Sequence, residues 1–93
     1  MKVRVKVSFE GNSIDETVEA VSLEALLITV RDRVARELGW KGLLLKTLSP
    51  LQFAQESVKR YNEAFCKNQP IPKTLEDFLE FGKSIGTLTV IED

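Results

Sequence analysis

The sequence predicts a single α+β domain with helices packed on one sheet. Three observations lead there. Lys2 to Phe9 alternates apolar and polar residues, the period of a half-buried strand. Leu23 to Leu38, and a second segment from Pro50 to about Lys67, repeat apolar residues at helical spacing behind a serine. Leu88 to Ile91 then returns to period two. At 93 residues the chain supports one modest core. The predicted order is β-β-α-β-α-α-β.

Val3, Val5, Val7 and Phe9 share one face of the first strand, with Lys2, Arg4, Lys6 and Ser8 on the other. Glu10-Gly11-Asn12-Ser13 reads as a turn, and Ile14 to Val21 as the second strand of a hairpin. Ser22 is a helix cap, and Glu24 suits the positive end of the helix dipole. Leu23, Leu26, Leu27, Val30, Val34 and Leu38 form the stripe of helix one, and Ile28 lies off it. Asp32 and Arg36 are spaced to pair on the far side, and Gly39 supplies a left-handed stop.

Leu43 to Leu48 reads as a short third strand, with Leu44 turned opposite to Leu43 and Leu45. Ser49, Pro50 and Gln52 then spell a capped helix start. The second helix carries Leu51, Ala54, Val58, Tyr61 and Phe65 on its stripe. Phe53 falls on the opposite side, as a second contact or an exposed anchor. Burying Lys2, Arg4 and Lys6 unpaired would be costly, so this helix is expected beside helix one or at the sheet edge. Tyr61 and Phe65 would then join the shared core. Pro70 and Pro72 end it in an extended linker. Thr74 and Asp77 resemble a capping box for a short helix, Leu75 to Phe81, ending at Gly82. Thr87 to Ile91 is the last strand. Trp40 is expected to close the bottom of the core, an interface role being the lesser reading, and Cys66 to be a small packing residue.

Composition removes several chemistries. Histidine is absent and cysteine occurs once, so Cys/His zinc sites, cysteine-ligated clusters and imidazole-based nucleophilic machines lack their residues. No cofactor, metal site or catalytic residue is expected, and the chain is not read as an enzyme. A lone cysteine fits a reducing cytoplasm. The apolar runs are too short to span a membrane, and MKVRVKV alternates unlike a signal peptide. Thirteen basic and 14 acidic side chains leave a net charge of −1, so no global field draws in nucleic acid. The adjacent carboxylates Asp15/Glu16, Glu76/Asp77 and Glu92/Asp93 read as solvated charge.

The opening strand MKVRVKV, a second strand, a serine-led helix, the LLL strand, and TLEDF followed later by GTLTVIE resemble the ubiquitin-like β-grasp proteins in kind and order. The resemblance covers about Met1 to Leu48 and Lys73 to Glu92. It implies a mixed sheet in one ubiquitin-like domain over residues 1–93, with 49–72 as a helical insertion and proline linker. It also implies a last strand central in the sheet and parallel to the first. The sequence closes at Ile91-Glu92-Asp93 with no Gly-Gly tail, so conjugation and sulfur transfer are not expected.

With strands one, three and four adjoining as the resemblance implies, Leu44, Thr89 and Ile91 would share the outer sheet face with Arg4 and Lys6. An apolar pair rimmed by cations there is the expected partner-binding surface. The favoured function is a non-covalent protein-interaction module or small accessory subunit, as a monomer or weak dimer. The alternative is a regulatory component of an enzyme complex. An anionic-ligand or nucleic-acid binder using Lys2, Arg4 and Lys6 ranks last.

Overall fold

The computed structural model describes residues 1–9 and 11–92, apart from the side chains of Phe9 and Lys41. Glu10 of the expected turn, the Phe9 ring and Asp93 of the last acidic pair lie outside that description. The described residues form an α+β domain: β1 (Lys2–Phe9), β2 (Asn12–Glu19), α1 (Leu23–Leu38), 3-10 turns over Gly39–Leu43 and Leu45–Thr47, α2 (Pro50–Phe65), α3 (Leu75–Ile85) and β3 (Leu88–Glu92).

The first 38 residues follow local chemistry closely. Gly11 takes a φ of 79°, so β1 and β2 close as an antiparallel hairpin in which Val3 opposes Val18 and Val7 opposes Ile14. The Ser22 side chain accepts from the Ala25 N–H and starts α1, whose Leu26, Leu27 and Val30 are buried. Arg36 does not pair with Asp32. Arg31 takes Asp32 at 3.0 Å, and Arg33 takes Glu37 at 3.1 Å. Gly39, at φ 66°, stops the helix.

Beyond Gly39 the expected strand at Leu43–Leu48 is absent; that segment is two 3-10 turns. The cause is close packing on α1. A Cβ on Gly42 would sit 2.0 Å from the Ala35 carbonyl oxygen, so this glycine lets the chain press onto the helix backbone. An Arg31 guanidinium N–H donates to the Leu48 carbonyl at 2.8 Å and pins the far end.

The sheet is therefore three-stranded and wholly antiparallel, in the order β2-β1-β3. The expected mixed sheet, with its last strand parallel to β1 and central, is corrected: β3 is antiparallel to β1 and lies at an edge. Its direction is set by α3. Gly86, at φ 84°, donates its N–H to the Gly82 and Lys83 carbonyls, and Thr87 N–H returns to Gly82 O at 2.9 Å. One residue later β3 begins, so the strand leaves the helix in a fixed direction.

The expected helix stop at Gly82 is also corrected, since α3 runs on to Ile85. Gly82 is glycine because Leu88 packs on it; a Cβ would meet the Leu88 side chain at 2.5 Å. At the start of α3 the Thr74 hydroxyl accepts from Asp77 N–H, while the Asp77 carboxylate accepts from Lys73 N–H rather than from Thr74.

The capping box expected at Ser49 and Gln52 forms in full. From it α2 packs on α1 and α3, on the inner side of the sheet, as the cations of β1 implied. Its buried arc is turned from the expected stripe. Phe53, at 5% exposure, is core with Ala54 and Val58, whereas Phe65 is 62% exposed. Contact with two helices rather than one widens the arc that α2 must bury.

Candidate functional site

The outer sheet face carries Arg4, Lys6 and Thr89, as alternation predicts, and all three are exposed. Arg4 opposes Thr89 across the β1–β3 pairing. Its charge is already matched. The Arg4 guanidinium donates two hydrogen bonds to the Asp15 carboxylate, at 3.0 and 2.9 Å. That fork holds the Asp15 carboxyl below its ordinary range, the hydrogen bond being the main cause. Lys6 opposes Asp15 directly, and Lys2 lies 3.8 Å from Glu92. Arg4 is thus paired and Lys2 has Glu92 within reach, while Lys6 stands opposite the Asp15 carboxylate that Arg4 already holds.

Ile91 is exposed but not at a regular sheet position. Val3 opposes Val90 and Lys2 opposes Glu92, so Ile91 is an extra residue with no partner on β1. That bulge puts Glu92 opposite Lys2. Leu44 does not lie on the sheet at all, because the strand that would carry it is a 3-10 turn against α1. The apolar pair Leu44 and Ile91 therefore does not form on the outer face.

A different surface gathers exposed apolar side chains. Trp40 is 80% exposed, Leu43 65% and Leu44 75%. Trp40 is thus not a cap under the core. All three belong to the exposed turn segment, or tip, that follows α1. The anchoring is firm behind them: Gly42 is buried on Ala35, and Thr47 Oγ1 donates to Leu44 O at 2.6 Å. No acidic residue occurs between Leu38 and Gln55, while Lys41 and Lys46 do. Arg36 and Lys46 are exposed at the tip's flanks in sequence. The missed signal was the pair of glycines around Trp40, which argue for a close-packed turn rather than a strand.

A groove opens on another part of the surface, between the proline linker and α3. It holds about 460 Å³ and is lined chiefly by Pro70, Ile71, Pro72 and Phe81, with Lys73, Asp77 and Glu80 at its rim. The linker is fastened to α2. Asn62 exchanges two hydrogen bonds with the Gln69 backbone, at 3.0 Å each, and Gln55 donates to Pro72 O at 3.0 Å. Phe81 stands edge-on to Tyr61, with ring centroids 5.2 Å apart, which fixes the groove wall. Cys66 is exposed at the end of α2, not packed, in a left-handed conformation at φ 53°. No protein-family model, curated protein or solved structure matches this chain.

Proposed function

We propose that this domain is a non-covalent protein-interaction module that docks through the tip formed by Trp40, Leu43 and Leu44. The observation that carries this reading is one large aromatic and two leucines within the stretch Trp40 to Leu44, all 65–80% exposed, on a segment braced by a buried glycine. Leaving such residues in water forgoes burial of about 25 cal/mol per Å² of apolar surface, and a contact recovers it. Tryptophan is also the residue most enriched where interfaces concentrate their energy. The outer sheet face is the weaker docking surface, because Arg4 and Lys2 already have anions beside them.

The ubiquitin-like resemblance, drawn over Met1 to Leu48 and Lys73 to Glu92, is compatible with the opening hairpin and α1 but includes a strand at Leu43 to Leu48 that is absent. The antiparallel edge position of β3 does not support extending that reading to the whole chain.

A photoactivatable side chain at position 44 tests the function. In its native cellular extract the protein should give a protein adduct from position 44 that Trp40→Ala abolishes. The same probe at position 89 should give little. Adducts from position 89 and none from 44 would return the function to the sheet face.

A further inference from the structure

Exposure along the tip follows a period of three. Gly42 is buried and Leu45 half-buried, whereas Trp40, Leu43 and Lys46 are exposed. Side chains three apart stand in line in a 3-10 turn, and Leu44, which joins the two turns, keeps helical angles at φ −68° and ψ −33°. Trp40, Leu43 and Lys46 therefore form one outward stripe, about 12 Å long at the 3-10 rise of about 2 Å per residue. Its apolar part is capped by an ammonium.

The ion pairs around this stripe are lopsided. On α1 the carboxylates nearest the tip in sequence are taken, Asp32 by Arg31 at 3.0 Å and Glu37 by Arg33 at 3.1 Å. Arg36, which precedes the stripe, and Lys46, which ends it, are exposed and belong to no ion pair among the described residues. No acid lies between Leu38 and Gln55 to offset them.

We infer that the partner of the tip is an acidic amphipathic protein segment, with apolar side chains against Trp40 and Leu43 and carboxylates reaching Arg36 and Lys46. This inference rests on the docking role proposed above and names the chemistry of the partner. Each free cation gains a charge-assisted contact without giving one up, whereas Arg4 on the sheet would have to leave Asp15. The length fits, since about 12 Å is a little over two turns of an α-helix, the span of a short amphipathic face with an acid at its end. A protein is favoured over a bilayer or a nucleic acid. Lipid-headgroup sites gather about 4–8 basic residues, and the stretch from Leu38 to Gln55 holds only Lys41 and Lys46. The whole chain, at net charge −1, offers no long-range pull on a polyanion.

Trp40 is the one tryptophan of the chain, so its emission reports on the stripe directly. The probe is a displayed library of random peptides about 12 residues long, enough for about three helical turns, selected on the whole chain and counter-selected on Trp40→Ser. Selected peptides should combine apolar residues with Asp or Glu. As free peptides they should move the Trp40 emission to shorter wavelength with a Kd of about 10–100 μM. Changing their acids to amides should weaken binding about tenfold, as should Arg36→Gln with Lys46→Glu on a domain that keeps the wild-type circular dichroism spectrum. High salt should shrink both differences. If the double variant fails to fold, the amide peptides make the same test on the wild type. Selected peptides without an acidic bias overturn the inference, as does a selection that yields nothing beyond the Trp40→Ser control. An emission shift with vesicles of phosphatidylserine and phosphatidylcholine, and none with peptides, also overturns it. The crosslink from position 44 judges the docking role separately. An adduct whose yield is unchanged by Arg36→Gln with Lys46→Glu keeps that role and removes the acidic partner, whereas no adduct at all removes the role itself.

Discussion

Two exposed regions of this domain, the outer sheet face and the Trp40–Leu44 tip, differ in what their neighbours do. On the sheet, Arg4 has Asp15 at 2.9 Å, Lys2 has Glu92 at 3.8 Å, and Lys6 stands opposite the Asp15 that Arg4 binds. At the tip, an indole and two leucines face outward on a stretch that holds cations and no acids. Both regions are accessible, so exposure does not separate them. Internal pairing does. A charge matched within its own sheet offers a partner little, because a newcomer must displace an existing contact. An apolar side chain left in water has nothing to displace.

The largest effect is expected in the core. Phe53 lies in the core, and Phe53→Ala should cost about 3–5 kcal/mol in a denaturant titration. A loss under about 1 kcal/mol would mean that α2 is not packed as described. The exposed Phe65 is its contrast on the same helix, and Phe65→Ala should stay under about 1 kcal/mol.

Gly42→Ala comes next. Its methyl group would overlap the Ala35 backbone, so the tip must lift from α1, at a cost of about 1–3 kcal/mol. The amide signals of Trp40 to Leu44 should shift while those of β1 and β2 hold still. Equal shifts in both regions would erase the distinction between a separately braced tip and the sheet. Trp40→Ser itself should change stability by no more than about 0.5 kcal/mol, as suits a surface residue. A larger loss would turn the tip into a structural element.

The smallest effect belongs to the sheet. The Asp15 carboxyl titrates below its ordinary value because Arg4 hydrogen-bonds its charged form. A depressed folded pKa gives stability that is present above the unfolded value, about 3.9, and lost as pH falls through the lower folded value. Arg4→Ala should therefore weaken the fold slightly at neutral pH and not at all in strong acid. A carbon-detected titration of Asp15 checks this directly: its midpoint should rise towards the ordinary value in the variant. An unmoved midpoint would show that the sheet cations are not internally matched.

Legibility in the sequence follows the range of the forces involved. Ser22, Ser49 and Thr74 each cap a helix as read, because a cap is settled by a hydroxyl and a backbone N–H three residues on. The β1–β2 hairpin was legible for the same reason, with alternation and a glycine turn acting within a few residues. Of the proposed sheet-face set, Arg4, Lys6 and Thr89 stand where alternation puts them. Ile91 is displaced by a bulge in the pairing of β3 with β1, a strand far away in sequence.

Leu44 shows the limit most clearly. LLL between polar residues reads as a strand on local preference alone, and only the close approach of Gly42 to Ala35 makes it a turn. Phe53 and Gly82 are similar cases. Phe53 is core because α2 meets two helices, and Gly82 lets α3 continue because Leu88 needs its space. By itself the sequence determined the caps, the extents of β1 and α1, the hairpin and the faces of β1, all through contacts within a few residues. The direction and edge position of β3, the turn that carries Trp40, and the groove beside α3 were decided by tertiary structure. Period-two alternation is identical in parallel and antiparallel strands, and a steric overlap between distant residues has no local signature until the chain brings them together.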